Sequence, residues 1–305
     1  MQRFLARRIS LAMVTLLAVT LIIFVLSRAA GDPRHVYLDD YSTQEDWDQL
    51  TLNLGLDRPY YQQYAIFLKD AVRGKFGESI KEGRPSMEII IERLPATFQL
   101  GVAAFIFSVV VGVPLGILSA VKRGTTLDIT GKLVALIGQS APVFWLGLML
   151  MFLFAVKLGW LPPYGRQEPT SIVLPAVALG WFYAAANLRL LRSAMLNVLD
   201  SEYIKLARAK GVSSQAVIWK HGLRNALIPV LTFAGVTLGS MVTGSIVVET
   251  VFAWPGLGQL SIQALSGSDY PLLQAVIVIF TLMYVVAALL VDIMYAYIDP
   301  RIRYA

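Results

Sequence analysis

Six stretches of this chain run without a charged residue for about 20 positions or more, which is long enough to cross the roughly 30 Å hydrocarbon core of a bilayer as a helix. They are residues 9–27, 94–121, 133–156, 169–188, 225–248 and 270–291. The apolar residues are gathered into these runs instead of recurring on one face of amphipathic helices. A chain of 305 residues with 56% hydrophobic and 15% charged side chains is therefore read as an all-α membrane protein with six transmembrane helices. Pro114, Pro142 and Pro175 lie inside three of the runs, where a missing N–H favours a kink. Gly112 and Gly116 form a small-xxx-small pair that lets two helices pack closely. The first run exceeds the roughly 7–15-residue apolar core of a signal peptide, so it is read as a span and not as a cleaved leader.

Charge orients the spans. With the N-terminus inside, segments 1–8, 122–132, 189–224 and 298–305 face the cytoplasm and carry fifteen Lys and Arg against four acids, Asp128, Asp200, Glu202 and Asp299. The short outer loop 157–168 has only Lys157 and Arg166. Both termini are expected in the cytoplasm. The long polar segment 31–93 is extracytoplasmic on this reading, with helices at 46–53 and 60–72 separated by Gly55 and Pro59. Residues 250–268 are uncharged but less apolar, and hold Pro255, Gly256, Gly258 and Gly267. They read as an interfacial turn and short helix anchored by Trp254, not as a seventh span. The resulting division is 1–30, 31–93, a core of 94–298 and a cytoplasmic tail of 299–305.

Several chemistries are excluded or disfavoured. There is no cysteine, hence no disulfide or thiolate metal site. The two histidines, His35 and His221, fall on opposite sides of the membrane. Gly131-Lys132-Leu133 lacks the glycine spacing and the hydroxyl of a phosphate-binding loop, and no G-x-S-x-G turn is present. The chain is expected to bind no metal or cofactor and to catalyse no reaction. The polar residues placed within the membrane are Gln99, Gln139, Ser140 and Asn187. They either line a path for a polar solute or hydrogen-bond between helices. Glu249, at the outer end of the fifth run, is a carboxylate of the kind that marks function by default. Asp292 near the inner end of the sixth reads as a paired charge, and Arg189 and Arg192 as anchors at the membrane boundary.

The loop 200–224 is too polar for lipid and is built as helix, glycine, helix. Asp200 or Ser201 can cap the first helix and Ser213 the second, while Gly211 suits the left-handed position that ends a helix. Tyr203, Leu206, Ala207 and Lys210 share a face at helical spacing. Lys205, Arg208, Lys210, Lys220, His221 and Arg224 make the loop basic. Such a loop between membrane spans reads either as a docking element for an acidic partner surface or as a solvated positive-inside loop, although positive-inside charge does not explain its small-residue spacing.

This stretch resembles the cytoplasmic coupling loop of ABC-importer permeases, in which a glycine follows the last alanine of a Glu-Ala-Ala triplet by four residues. Ala207, Gly211 and Leu223 match; Lys205 and Leu206 replace the glutamate and first alanine, and Arg224 replaces a proline. The run ARAKG followed by KHGLRNALIPV resembles the oligopeptide/dipeptide/nickel branch. So do GDP at 31–33, LGLDRPYYQQY at 54–64 and VVETVFAWPGLGQL at 247–260. The resemblance implies a five-helix core with the first span at its periphery. It also implies a second, similar permease subunit, two ATPase subunits that hold the ATP and magnesium, and an extracytoplasmic solute-binding protein; no nucleic acid is implied. Small peptides are the cargo it suggests first, with nickel chelates and glutathione as alternatives. A self-sufficient channel or secondary transporter, or a membrane-anchored scaffold, would not need the docking loop.

Overall fold

In a computed structural model the backbone is described for residues 2–29, 31, 34, 38, 43–53 and 55–298. Side chains are not described at 2–5, 53, 232, 236, 238, 242, 243 and 294–298. The GDP motif beyond Gly31, Leu54, His35 and the tail 299–305 lie outside the described residues. The helices are α1 (Gln2–Ala29), α2 (Gln44–Asn53), α3 (Tyr60–Ala71), α4 (Ser86–Val121), α5 (Thr126–Ser140) and α6 (Val143–Leu150, continued by a π-helical turn Met151–Lys157). Then follow α7 (Val173–Leu199), α8 (Glu202–Ala209), α9 (Arg224–Val251), α10 (Leu257–Ser266) and α11 (Tyr270–Ile298). Among the described residues no strand forms, and an isolated bridge joins Glu78 and Pro85.

Five helices are long and apolar enough to cross a membrane: Ala6–Ala29, Ser86–Val121, Pro169–Leu199, Ser214–Met241 and Tyr270–Ile293. A sixth crossing comes from α5 and α6 taken together, which bend by 111°. The sequence suggested one kinked span there; the structure breaks it. Pro142 disfavours helical backbone in the residue before it, and Ala141 is extended, with φ −78° and ψ 129°. Pro175 sits in the first turn of α7, where its missing N–H is not needed. That helix also outruns its apolar stretch, continuing past Leu188 to Leu199. Helical hydrogen bonding does not stop where the lipid does.

The chain divides into two compact units. One comprises Phe98–Trp254 and Val291–Tyr295. Its spine is a close seam between α4 and α7, made by glycines. A Cβ on Gly112 would lie 2.5 Å from the carbonyl oxygen of Ala184, one on Gly116 3.0 Å from that of Leu188, and one on Gly180 2.5 Å from that of Ala104. The 112/116 pair read from sequence is thus half of the seam, and Gly180 answers it from the other helix. Toward the end of α7, Ile117, Ala120, Leu191, Met195, Ala226 and Val230 form a buried apolar cluster joining α4, α7 and α9. Trp254, expected at the bilayer interface, is buried within the protein instead.

The other unit comprises Met1–Thr97, Pro255–Leu290 and Ala296–Ala305. Here α2 opens on a capping box: the Thr43 hydroxyl accepts from the Asp46 N–H at 3.3 Å, and Thr43 N–H donates to the Asp46 carboxylate at 2.9 Å. Helix α3 packs along the later half of α1. The Tyr64 hydroxyl lies 3.1 Å from that of Thr20, and the Phe24 ring packs at a tilt against Tyr64 and Phe67 with centroids 5.4 and 6.0 Å apart. Helix α10 is tied down where Leu257 N–H donates to the Thr97 hydroxyl at 2.8 Å. Buried Asp269 caps α11 and accepts from the Ser79 hydroxyl, which pins the 74–86 loop to the α10–α11 turn.

Candidate coupling and translocation site

The loop after α7 is shaped by two local signals. Helix α8 ends in a Schellman motif: Val212 N–H donates to the Ala207 carbonyl at 3.1 Å and Gly211 N–H to that of Arg208 at 2.9 Å. Gly211 has φ +80°, the left-handed conformation this motif requires. Among the described residues a Cβ there would meet nothing within 4 Å. Backbone conformation, not crowding within this chain, therefore demands the glycine. Ser213 then caps the next segment, accepting from Ala216 N–H at 3.4 Å. Ser201 stands at the N-cap of α8, but its hydroxyl donates backward to the Val198 carbonyl instead of capping.

The second helix of the loop is not a separate short piece, which corrects the sequence reading. Ser214–Ala216 runs through a π-helical turn, Val217–Leu223, directly into α9. The π turn has room for this because Gly222 packs beside Leu199 and Met195 of α7. Fully buried Ile204 holds α8 down, and the Tyr203 hydroxyl accepts from Asn225 Nδ2 at 2.9 Å. Outward, the loop presents Tyr203, Leu206 and Trp219 at 45, 57 and 60% exposure. Lys205, Arg208, Lys210, Lys220 and Arg224 are exposed around them, Ala207 and His221 partly so. Lys205 is engaged by Glu202 at 2.7 Å. Trp219 escaped the sequence reading, although a tryptophan inside a polar loop is a usable signal.

A buried charge cluster lies at the base of this loop. Asp128, in the first turn of α5, is fully buried. It accepts from the Ser119 hydroxyl at 2.6 Å, Gly124 N–H at 3.0 Å, Arg192 Nε at 2.7 Å and Arg192 Nη2 at 3.0 Å, with Lys132 Nζ at 2.9 Å. The fork of Arg192 engages both carboxylate oxygens, the strongest geometry available to this pair. Beside it Arg123 faces Asp200 at 3.6 Å, an exposed pair of little energetic weight. Arg192, read from sequence as a boundary anchor, thus bolts α7 to the α4–α5 turn, less than three helical turns before the loop 200–224 begins.

The residues expected within the membrane occupy different places. Gln99 is exposed on α4 and accepts from Arg166 Nε at 2.9 Å; the Arg166 guanidinium also lies 5.8 Å from the Trp254 ring centre. Gln139 and Ser140 end α5 at the bend, partly buried and exposed respectively. Asn187 is buried in the α4–α7 seam beside Gly112, and among the described residues its Oδ1 accepts from no donor. Glu249 is fully buried near the end of α9 and accepts from the Ser245 hydroxyl at 2.8 Å. The loop between α6 and α7 crosses this region, with Gly165 N–H donating to the Phe252 carbonyl at 2.9 Å.

Lipid-length helices, a glycine-packed seam and a structured, exposed loop bolted to its base define an all-helical, polytopic membrane protein built around one large loop. Its family is shown by comparison. Residues 112–304 match the model of the binding-protein-dependent transport system inner membrane component, and residues 1–101 match that of the N-terminal part of such membrane components. The chain belongs to this family of inner-membrane permease subunits of ABC importers. It is 39% identical to an oligopeptide transport system permease protein of Bacillus subtilis over 100% of both chains. It is 37% identical to a dipeptide transport system permease protein of Alkalihalophilus pseudofirmus over 98% of both, and 39% identical to a glutathione transport system permease protein of Escherichia coli over 95% of both. Among solved structures it shares its fold with an inward-facing MetNI methionine ABC transporter. The TM-score is 0.60 at 24% identity, over 70% of this chain and 97% of that one.

Proposed function

We propose that this chain is one of two permease subunits of an ATP-driven importer that carries small peptides inward across the bacterial cytoplasmic membrane. Its partners on this reading are a second, similar permease, two ATPase subunits that hold ATP and magnesium, and an extracytoplasmic binding protein. Both termini and the loop 200–224 face the cytoplasm. The observation that carries the reading is the Schellman-terminated α8 with its exposed basic and aromatic rim, in a chain that matches peptide-permease relatives from end to end. Closure of the ATPase pair pushes on α8. The push passes into α7 and α9 and switches the cavity between inward- and outward-facing. Tyr203, Leu206 and Trp219 are the anchors of the docking face, and Lys205, Arg208, Lys210, His221 and Arg224 its polar rim. Ala207 and Gly211 keep the turn compact. Gln99, Gln139, Ser140, Asn187 and Glu249 are the candidates for the solute path.

The test is affinity purification of this chain in mild detergent from its native membrane, followed by uptake assays in proteoliposomes containing the recovered complex and its binding protein. A second six-span protein and ATPase subunits are expected to co-purify. Both Gly211→Pro and Ala207→Glu are expected to lose the ATPases while the chain remains inserted. Uptake is expected for dipeptides, with glutathione and a nickel chelate as comparison cargoes. Recovery of the chain alone, or as a homo-oligomer, would replace this reading with a self-sufficient channel or secondary transporter.

A further inference from the structure

Helix α9 begins with a weak joint. The π-helical turn Val217–Leu223 leads directly into it, and Pro229, inside the helix, brings no N–H to the carbonyl four residues back, that of Asn225. A helix with a widened turn on one side and a missing hydrogen bond on the other bends at small cost. Yet a displacement of α8 travels along the chain through this stretch to reach the rest of α9, because Ser214–Ala216 continues through the π turn into that helix without a break.

Asn225 ties the joint to α8. Its Nδ2 donates to the Tyr203 hydroxyl at 2.9 Å and to the His221 carbonyl at 3.1 Å. A carbonyl can only accept, so the amide nitrogen must face it and the orientation of the side chain is fixed. Both amide hydrogens are then committed, one to a side chain of α8 and one to the backbone of the π turn. In a regular α-helix the donor to the His221 carbonyl is the Asn225 N–H; here the side chain of the same residue reaches it. Among side chains of this size, asparagine is the one with two donors on a single atom. Apolar packing also holds these parts, with Ile204 buried under α8 and Gly222 beside Leu199 and Met195 of α7. Such packing resists separation but has no preferred direction. A hydrogen bond weakens steeply when its partners move out of line, so it fixes orientation as well as distance.

We propose that Asn225 is the positioning residue that makes α8, the π turn and α9 move as one piece. It acts through Tyr203 and His221. The proposal rests on the importer reading above. Closure of the ATPase pair displaces α8, and Tyr203 carries Asn225 with it. The bond to His221 keeps the π turn in line, so the displacement reaches α9 beyond Pro229 instead of bending the joint. Without Asn225 the ATPase subunits still dock and hydrolyse ATP, but part of each stroke is lost in the joint.

The test uses the complex recovered in mild detergent and reconstituted in proteoliposomes with its binding protein. The quantity read is peptide taken up per ATP hydrolysed. Asn225→Leu is expected to bind the ATPase subunits as tightly as the unaltered chain and to lower uptake per ATP about fivefold, the factor that one hydrogen bond of ordinary net strength is worth. Tyr203→Phe, which removes the hydroxyl alone, is expected to lower it too. The double variant is expected to do no worse than Asn225→Leu by itself, since both break one tie. A residue that served stability alone would change melting and ATPase binding and leave uptake per ATP where it was. Asn225→Asp, of the same size but with no donor for His221, repeats the measurement should Asn225→Leu not be recovered from the membrane. Unchanged uptake per ATP in the Asn225 variant, losses from Asn225→Leu and Tyr203→Phe that multiply in the double variant, or loss of ATPase binding each overturns the proposal. An unaltered complex that holds no ATPase subunit or takes up no peptide overturns the importer reading, and this proposal with it, before any variant is compared.

Discussion

Asp128 and Arg192 stand 64 residues apart in sequence, yet they form a two-bonded buried ion pair at 2.7 and 3.0 Å. A buried pair contributes little compared with an apolar replacement, but breaking it strands a charge at a cost of about 3–5 kcal/mol. Asp128→Asn and Arg192→Gln should each lower the melting temperature of the solubilised complex sharply. The double variant should recover part of the loss, with a coupling energy of about 1–3 kcal/mol. Strictly additive effects in that double-mutant cycle would mean that the pair does not act as a unit. Gly211 offers a second residue-level test, because two explanations for it rank substitutions oppositely. Its φ of +80° and the open space around it make backbone conformation the constraint. Alanine in this conformation costs about 1–2 kcal/mol, whereas asparagine tolerates it better despite its size. Gly211→Asn should therefore keep tighter association with the ATPase subunits than Gly211→Ala, measured by titration in detergent. The reverse order would show that close approach by the partner, and not the turn, selects glycine.

At the scale of elements, the α4–α7 seam decides how closely two spans can approach. A Cβ at Gly112 would sit 2.5 Å from a backbone oxygen and 2.9 Å from the Asn187 Cβ, so neither helix can relieve the clash by rotating a side chain. Gly112→Ala should destabilise the chain by about 1–3 kcal/mol through overpacking. Gly244→Ala, whose Cβ would meet among the described residues just the Tyr183 hydroxyl at 3.9 Å, should be neutral or slightly stabilising because alanine is the better helix former. Thermal melts of both variants in one detergent compare them, and equal effects would remove the seam from the argument. Much at this scale was legible in the sequence. Uncharged runs mark spans because lipid tolerates little else, the 112/116 spacing marks a seam, and Gly211 and Ser213 mark the loop's turn. What was not legible depends on three dimensions. The partner of Asp128 lies on another helix, and its i+4 neighbour Lys132 was the one local hint. The continuity of 214–251 through a π turn depends on Gly222 meeting α7. The break at Ala141 was signalled by Pro142, but a proline alone does not distinguish a kink from a 111° turn.

For the whole molecule, the arrangement around Asp128 determines what can move relative to what. The α4–α5 turn, the end of α7 and the base of the loop are joined by Asp128–Arg192 inside and by Arg123 facing Asp200 at 3.6 Å outside. On the proposed coupling, a push on α8 that did not carry the α4–α5 turn along would have to break a buried ion pair in every cycle, at a cost of about 3–5 kcal/mol. These parts should therefore travel as one rigid body, with motion taken up elsewhere. The chain contains no cysteine, so pairs of cysteines can be introduced without background. Arg123 and Asp200 are suitable positions, since both are exposed and their own pairing is worth under about 1 kcal/mol. With Arg123→Cys and Asp200→Cys joined by a short bis-maleimide, binding-protein-stimulated ATP hydrolysis and peptide uptake should be unchanged from the reduced, unlinked complex. A linked complex that hydrolyses ATP but no longer transports would show that the loop base and the α4–α5 turn separate during the cycle. The Asp128 cluster would then be a latch that opens, and a charge pair inside the moving part, not a rigid lever, would carry the coupling.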